Sequence, residues 1–514
     1  MPSSRLAKSL KNAKVNLIFY FLTLLLSFFS RKIFLRCLGD DFMGLVGTLQ
    51  NLLGFLNLAE LGVGTAIGFV LYQPLFEQNH LRINEIITVL GYLYRKIGMI
   101  IILGGLVLAV FLPLIFEKTP FELAGIYFAY FTFLFSSVLG YFVNYKQLLL
   151  NADQRNYVIT AYSQSANILK LALQILLTYY TKNYYLWIIT EFVFSIIYSG
   201  ILSWKIKEVY PWLQTMRKEG KALLDRHRKI RIYIKQIFVH RIAAFVQGQT
   251  ASVLIYSFVS LQMVAYYGNY IIIINKANLL INNLFGGLGA GIGSLIAEND
   301  SLKIKKVYWE LMAFKYLIAG ILVFSLYHLI NPFISLWLGN KYLLSQSILI
   351  LILVNLFISQ TRSVNDMFIN GYGLFSDVWA PVTEAAISIA ISLIGGHFWG
   401  IKGVLTGPVI SLFLIIGIWK PYFLYSRGFK IRLIGYWLTI FKYLLIIIVS
   451  WIMAYFVISF VCLNPYKSFM MWVIYGGILT IVYSLINFLL FYMGDQGMRS
   501  FSVRMKREIM NRWL

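Results

Sequence analysis

Residues 41–75 read DFMGLVGTLQNLLGFLNLAELGVGTAIGFVLYQPL, a stretch that is too apolar for water and too polar for a passive membrane span. On a helix at 100° per residue, its glycine and polar residues fall within an arc of roughly 140°, while Leu52, Leu56 and Leu58 lie outside that arc. A carboxylate in hydrocarbon costs about 3 kcal/mol or more, so we expect Glu60 to face a bundle interior or a water-filled cavity. The stretch therefore predicts a membrane helix that lines a cavity. The polar arc contains Gly47, Gln50, Gly54, Asn57, Glu60, Gly64 and Gly68.

The composition of the whole chain is that of a polytopic membrane protein. Hydrophobic residues make up 59% of its 514 residues and charged residues only 13%, whereas an ordinary globular protein has about 25% charged residues. Windows of about 20 apolar residues can cross the hydrocarbon core, and we count about fourteen of them, including residues 43–72, 121–149 and 266–296. We therefore predict an all-α polytopic membrane protein with about 14 transmembrane helices.

The net charge of +25 would point to a nucleic-acid partner in a soluble protein, but here its location gives a different explanation. With the N-terminus inside, the gaps between spans that face the cytoplasm carry about 28 basic residues and the outer gaps about 6, as the positive-inside rule requires. We therefore expect both termini to be cytoplasmic, the basic gaps to rest on membrane lipids, and no nucleic-acid partner.

The longest basic gap, from Lys205 to Lys235, lies near the middle of the chain and predicts a linker between two six-helix lobes. A shift of about 221 positions sets Gly47 on Gly268 and Asn57 on Asn278, which predicts pseudo-symmetric lobes. The alternative is that the glycines only let helices pack closely. The predicted parts are an N-terminal lobe over 1–206, a basic cytoplasmic linker over 207–232, a C-terminal lobe over 233–424, and two additional helices with a basic tail over 425–514.

Several cations fall inside predicted spans, where a charge is costly and usually functional. Arg31, Arg241, Lys276 and Arg362 are the hardest to explain by snorkelling to the headgroups, so we predict that they line a cationic cavity. Such a cavity favours an anionic substrate, because arginine can grip a diphosphate through paired donors. Amide side chains are predicted to complete the cavity lining; they are Gln50, Asn57, Asn275, Asn278 and Asn282.

Three acids at depth, Glu60, Asp366 and Glu384, are candidates for ion coupling. Glu60 and Glu384 have no partner nearby in the sequence, so each could titrate in a proton-coupled cycle or could neutralise an arginine. Asp366 lies four residues after Arg362 on one helix face, so a structural ion pair and a substrate role are both reasonable interpretations. These alternatives stay open at this point.

The sequence offers no constellation for catalysis or metal binding. The five histidines have no metal-ligand spacing, no glycine-rich loop has the spacing of a nucleotide-phosphate motif, and no GxSxG elbow occurs. The two cysteines, Cys37 and Cys462, cannot form a disulfide framework or a four-ligand metal site. We therefore predict a protein that is not an enzyme, with no metal and no cofactor other than a coupling ion.

An ordered series of motifs runs along nearly the whole chain. The motifs are SRKIFLRCLG from Ser30, GLVGTLQ and its continuation from Gly44, LLLNADQ from Leu148, YYGNYIIIIN from Tyr266 and GAGIGSLIAEN from Gly289. This series resembles the polysaccharide-lipid flippases, the O-antigen and capsule repeat-unit translocases of the multidrug/oligosaccharidyl-lipid/polysaccharide exporter superfamily. In that resemblance, the first-span arginine falls on Arg31, the ELG acid on Glu60 and the acid of the eleventh span on Glu384.

The resemblance implies two lobes around a central cavity that work by alternating access. An undecaprenyl-diphosphate-linked oligosaccharide would pass from the inner to the outer leaflet of the bacterial cytoplasmic membrane, for the synthesis of surface polysaccharide such as capsule or lipopolysaccharide O-antigen. The cations would hold the diphosphate, the amides would hold the sugar, H⁺ or Na⁺ would be the coupling ion, and a polysaccharide polymerase complex would be a partner. The alternatives are an ion-coupled multidrug exporter of the same superfamily, which should have an acidic cavity, and a membrane-embedded glycosyltransferase or polymerase.

Overall fold

The structure of the chain is a computed structural model. It describes residues 5–513 except 57–59, 61, 118, 154, 217, 228–229, 232–233, 235–249, 286–291, 293–294, 297, 375–376, 378 and 461–462. Throughout the described residues the secondary structure is helical, with no strand. The chain forms two compact units, Met1–Ala265 and Tyr266–Leu514, each of which is described by itself. The lobe and linker boundaries given above stay predictions.

The first unit is built from long apolar helices joined by short turns. In chain order its helices are α1 (Arg5–Leu38), α2 (Asp40–Leu56), α3 (Val63–Phe76), α4 (His80–Ile115), α5 (Leu123–Phe142), α6 (Gln147–Ala152), α7 (Asn156–Thr181), α8 (Tyr184–Val209) and α9 (Gly220–Arg226). Residues 250–258 are also helical, and α10 (Leu261–Phe285) then begins in this unit and continues in the second.

The second unit continues in the same style. Its further helices are α11 (Ser301–Trp337), α12 (Gln346–Gly371), α13 (Trp379–Trp399), α14 (Ile401–Phe429, which includes π-helical turns), α15 (Ile434–Ser459), α16 (Phe469–Gly494) and α17 (Gln496–Trp513). Ten helices among the described residues are long and apolar enough to cross a membrane. Because a helix satisfies its own backbone hydrogen bonds, it is one of the two structures that can span lipid. The predicted all-α membrane fold is confirmed.

The stretch at residues 41–75 is not one continuous helix, so the prediction of a single uninterrupted helix there is wrong. Helix α2 ends at Leu56 and α3 begins at Val63. Gly62, at the start of α3, has φ 92° and ψ −21°, a left-handed conformation that glycine adopts without steric cost. Positions before and after this break therefore do not share the common arc that helical periodicity predicts. Likewise, α5 ends at Phe142, well before the end of the predicted span 121–149.

Glycines allow a very close approach of two helices in the second unit. A Cβ added at Gly403 on α14 would lie 1.8 Å from the carbonyl oxygen of Gly395 on α13. A Cβ added at Gly407 would lie 2.1 Å from the Ser392 Oγ, and that hydroxyl donates a hydrogen bond to the Val404 carbonyl at 2.7 Å. The backbones of α13 and α14 are therefore in direct contact, which only residues without a Cβ allow.

Ion pairs hold several apolar helices together. Lys170 on α7 contacts Glu191 on α8 at 2.6 Å. Lys442 on α15 contacts Asp495 at 2.5 Å. Asp495 also accepts a hydrogen bond from the Met498 backbone N–H in the first turn of α17. One carboxylate therefore joins α15 to the α16–α17 junction, since it serves both as an ion-pair partner and as a helix cap.

The middle of the predicted basic linker is packed against α4. We call residues 210–227 the docked linker. The Trp212 ring stacks on His80 with centroids 3.8 Å apart. The Gln214 backbone N–H donates to Asn84 Oδ1 at 3.1 Å, and the Met216 backbone N–H donates to the Thr88 hydroxyl at 3.1 Å. Side chains at the start of α4 thus satisfy backbone groups of this segment, as ordered irregular structure requires.

Candidate functional site

Glu60 lies in the break between α2 and α3 and is held by two tyrosines of the first unit. The Tyr94 hydroxyl on α4 donates to Glu60 Oε1 at 2.5 Å, and the Tyr141 hydroxyl on α5 donates to Oε2 at 3.0 Å. The two phenol rings are in edge contact, with centroids 5.6 Å apart. Both carboxyl oxygens of Glu60 therefore receive a hydrogen bond from neutral groups, which offsets the cost of placing the carboxyl group away from water.

The local sequence explains how Glu60 reaches these partners. Gly62 turns the chain after Glu60, and Gly64 opens the first turn of α3. A Cβ at Gly64 would lie 3.2 Å from the Tyr94 hydroxyl and 3.8 Å from Glu60 Oε1. The absence of a side chain at Gly64 therefore leaves room for the Tyr94–Glu60 contact.

The structure does not bring the predicted cavity residues of the first unit together in one described site. The Arg31 Nη2 on α1 donates to the Ala265 carbonyl on α10 at 3.2 Å, so this arginine is anchored to backbone. Gln50 on α2 is exposed in its unit. Asn57 and Arg241 lie outside the described residues. Their predicted places in a common cavity stay predictions.

In the second unit, three of the sequence-predicted residues come together between α12 and α13. The Arg362 Nε contacts Asp366 Oδ2 at 3.1 Å, and its Nη1 lies 4.0 Å from Glu384 Oε1. The side chains of Arg362 and Asp366 are 30% and 33% exposed, whereas Glu384 is only 7% exposed. Two carboxylates thus share one guanidinium, whose fork of donors suits such an arrangement.

Three of the predicted amides, Asn275, Asn278 and Asn282, lie on α10 together with Lys276. The Asn278 side-chain oxygen accepts a hydrogen bond from the Gln360 amide on α12, so it meets a residue that the sequence did not single out. Asn275 is exposed and Lys276 is half-buried within the second unit. The side chain of Asn282 lies outside the described residues. Asn278 is therefore linked through Gln360 to the same helix that carries Arg362 and Asp366.

Two further features bear on what the site can do. Among the described residues, no group of three or more His, Cys, Asp or Glu side chains could hold a metal ion. The Asp153 carboxylate of the LLLNADQ motif contacts Arg155 at 2.7 Å and accepts from the Tyr210 hydroxyl at 2.9 Å. Burial, and then the negative charge of Asp153, raise the pKa of the Tyr210 phenol. This motif therefore fastens the start of the docked linker to the turn between α6 and α7.

Sequence reasoning missed Tyr94, Tyr141 and Gln360. Tyr94 and Tyr141 lie 34 and 81 residues from Glu60 along the chain, and a tyrosine in an apolar span carries no local signal of its partner. Taken together, each unit presents a carboxyl group surrounded by polar donors within apolar helices. Such groups can bind, release or exchange a cation or proton, or can fix charged helices in place.

Comparisons with known proteins address the fold. No protein-family model matches the chain, and no curated protein matches it. The chain is similar to the solved structure of the lipid II flippase MurJ in an inward closed conformation, with a TM-score of 0.61 and 15% identity over 93% of this chain and 98% of that one.

It is also similar to an inward-facing multidrug resistance MATE family transporter of the MOP superfamily, with a TM-score of 0.61 and 13% identity over 81% of this chain and 99% of that one. A mutant of the Vibrio cholerae MATE transporter VcmN gives a TM-score of 0.51 and 14% identity over 83% of this chain and 99% of that one. At these identities the likeness is one of fold. The chain is a multi-pass membrane protein with the fold of MOP-superfamily transporters.

Proposed function

We propose that the chain is a flippase for undecaprenyl-diphosphate-linked oligosaccharides, working by alternating access in the bacterial cytoplasmic membrane with both termini in the cytoplasm. It would move a lipid-linked repeat unit from the inner to the outer leaflet, where a polysaccharide polymerase would use it. In this proposal the protein is a transporter and performs no covalent chemistry on its substrate.

The observation that carries the proposal is the extent of the likeness to a lipid flippase. The structure named as a lipid II flippase covers 93% of this chain, whereas the multidrug transporter structure with the same TM-score covers 81%. The chain has two apolar helices, α15 and α16, near its C-terminal end. We take the solved structure that aligns with more of the chain as the better guide to its function. A lipid-linked substrate follows from that choice.

The chemistry of the substrate fits the polar residues inside the helices. Moving an unpaired polar group through hydrocarbon costs about 2 to 7 kcal/mol, so a glycosyl diphosphate needs a polar path. Arg31, Arg241, Lys276 and Arg362 would contact the diphosphate, since cationic donors are what phosphate oxygens bind. Amides such as Asn278 would contact the sugar, while the polyprenyl tail stays in lipid.

A second candidate function is ion-coupled export of amphipathic cations. The likeness to a MATE family multidrug transporter favours it, and the carboxyl groups of Glu60, Asp366 and Glu384 would serve as coupling groups for H⁺ or Na⁺ in either function. An exporter of cations should present a net acidic cavity, however. The intramembrane cations therefore make the flippase the better proposal.

The deciding experiment locates lipid-linked repeat units in a strain that lacks the gene. We expect the units to accumulate on the inner leaflet, where a membrane-impermeant glycan-modifying reagent cannot reach them in intact spheroplasts. Expression of the wild-type chain should restore labelling and surface polysaccharide. The Arg31→Ala variant should insert normally and fail to restore either, whereas Lys182→Ala, at the exposed C-terminal end of α7, should restore both.

Two outcomes would refute the proposal. Lipid-linked units distributed normally across both leaflets but not polymerised would indicate a polymerase. Normal surface polysaccharide in the deletion strain, together with increased sensitivity to cationic drugs, would indicate the exporter. If Arg31→Ala complemented fully, the argument for a cationic substrate path would be wrong.

A further inference from the structure

A second candidate binding site lies at the opposite end of the second unit from α17. A cavity of about 580 Å³ opens there between the last turns of α11, the start of α12, the α15–α16 loop and α16. α17 packs at the other end of α11, where Arg504 contacts Glu310 at 2.9 Å and Phe501 stacks on Phe314 with centroids 4.4 Å apart. The cavity and the basic C-terminal helix therefore lie at opposite ends of α11. Its volume is within the range of small-molecule sites, roughly 300 to 1,000 Å³.

The polar wall of this cavity is held in place from behind. The Tyr270 hydroxyl on α10 donates to Asn331 Oδ1 at 2.7 Å and accepts from the Leu344 backbone N–H at 2.9 Å. The Asn331 amide in turn donates to Gln346 Oε1 at 3.2 Å. Tyr270 is itself fully buried. This chain of hydrogen bonds fixes the orientation of both amides before any ligand arrives, which lowers the cost of binding.

Two amides of the cavity lining keep hydrogen-bonding capacity that the described protein atoms do not use. An Asn or Gln amide has two N–H donors, and within the described part of the chain the Gln346 amide nitrogen has no protein acceptor. Asn464 accepts from the Tyr466 backbone N–H at 2.9 Å, and its own amide nitrogen likewise has no acceptor among the described residues. The cavity thus offers amide donors to a ligand rich in hydroxyl or carbonyl oxygens.

The remaining wall combines tyrosines and His328 with two prolines and Leu463. Tyr327, Tyr466 and Tyr475 supply phenol rings, and no Asp, Glu, Lys or Arg is among the described lining residues. Tyr466 is 47% exposed, so its ring is open to a ligand. A diphosphate would require cations and a cationic drug would require acids. Aromatic faces beside amide donors instead suit a neutral sugar ring, which has apolar C–H faces and polar hydroxyl edges.

We propose that this cavity binds neutral sugar residues at the membrane surface, on the side where the glycan leaves the protein. The proposal rests on the proposed function in two respects: glycans are the ligands this surface meets, and α17 is cytoplasmic, which puts the cavity on the outer side. The site would hold the distal sugars of a repeat unit while its diphosphate is still within the protein. It is separate from the Arg362–Asp366–Glu384 cluster, which lies toward the other end of α12.

The test is saturation-transfer NMR on the purified full-length chain in detergent. The probes are the neutral methyl glycosides of glucose, galactose, rhamnose and N-acetylglucosamine, with inorganic pyrophosphate and spermidine as charged comparators. We expect at least one glycoside to bind saturably, and the Tyr466→Ala and Gln346→Ala variants to weaken that binding by about tenfold. Tyr455→Ala, on an exposed tyrosine of α15 that is not among the lining residues of the cavity, should bind like the wild type.

The proposal would be overturned if no glycoside of the set bound, if pyrophosphate or spermidine bound in their place, or if the cavity variants retained wild-type affinity. This measurement is independent of the leaflet assay. Suppose that glycoside binding depends on Tyr466 while lipid-linked units are normally distributed in the strain that lacks the gene. That combination would support the sugar site and refute the flippase function. Accumulation on the inner leaflet without glycoside binding would do the reverse.

Discussion

Substitution of Gly403 by alanine tests whether the contact between α13 and α14 is as close as the structure indicates. The added Cβ would lie 1.8 Å from the Gly395 carbonyl oxygen, whereas ordinary contacts begin at 3.4 Å. The obstacle is backbone, which no rotamer change can remove, so the helices must separate by about 1.5 Å. Overpacking of this kind costs about 1 to 3 kcal/mol, and loss of the Ser392–Val404 hydrogen bond adds about 1 kcal/mol. The greater helix propensity of alanine offsets about 1 kcal/mol of this cost, so we expect a net loss of about 1 to 3 kcal/mol in the free energy of unfolding.

The matched control is the same substitution where space is available. A Cβ at Gly477 on α16 would meet nothing within 4 Å, and alanine exceeds glycine in helix propensity by about 1 kcal/mol. Denaturant unfolding of purified protein, followed by tryptophan fluorescence, should therefore show Gly403→Ala destabilised and Gly477→Ala unchanged or more stable. Equal stability of Gly403→Ala and the wild type would refute the close crossing. Because α13 also carries Glu384, separation of the helices should lower transport as well.

Three other substitutions address charged and polar contacts. Asp377→Ala should destabilise the protein by about 3 to 5 kcal/mol in the same unfolding assay, because it leaves the buried ammonium of Lys420 without its ion-pair partner. That ammonium contacts Asp377 at 2.6 Å, and the Lys420 side chain is only 12% exposed. A loss under about 1 kcal/mol would contradict this expectation. Glu60→Gln should fold, because an amide oxygen can still accept a hydrogen bond from the Tyr94 hydroxyl. It should make transport insensitive to an imposed ion gradient. Unchanged gradient dependence would show that Glu60 is not a coupling group. Arg362→Lys should impair complementation of surface polysaccharide, because one ammonium cannot reproduce the fork that faces two carboxylates, and full complementation would show that charge alone suffices.

Apolar periodicity was enough to predict the helical membrane fold, because hydrocarbon forces the backbone to satisfy its own hydrogen bonds. It failed at Gly62, where the apolar pattern continues across the break between α2 and α3. A left-handed glycine leaves the composition of the stretch unaltered, so the period of the sequence carries no mark of it. For the same reason, Glu60 was predicted on the face of a continuous helix, whereas it lies in the break between α2 and α3.

In the candidate sites, contacts between residues close in the sequence could be predicted, and contacts between distant residues could not. The Arg362–Asp366 pair could be read from a four-residue spacing, since such residues share a helix face. The tyrosines that hold Glu60 could not, because they reach it from α4 and α5. Gln360 was also invisible, since its partner Asn278 lies on another helix. Side chains that meet only through tertiary packing leave no regular interval in the sequence.

The docked linker has a practical consequence for protein engineering. A long polar gap near the middle of a membrane protein is the usual first choice for an epitope, a fluorescent protein or a protease site. Here the backbone N–H groups of Gln214 and Met216 are committed to side chains of α4, and Ile230 just beyond is fully buried. Tolerance of insertion depends on whether the backbone is free, and not on polarity. The loop that hydropathy marks as expendable is therefore a poor site for a fusion.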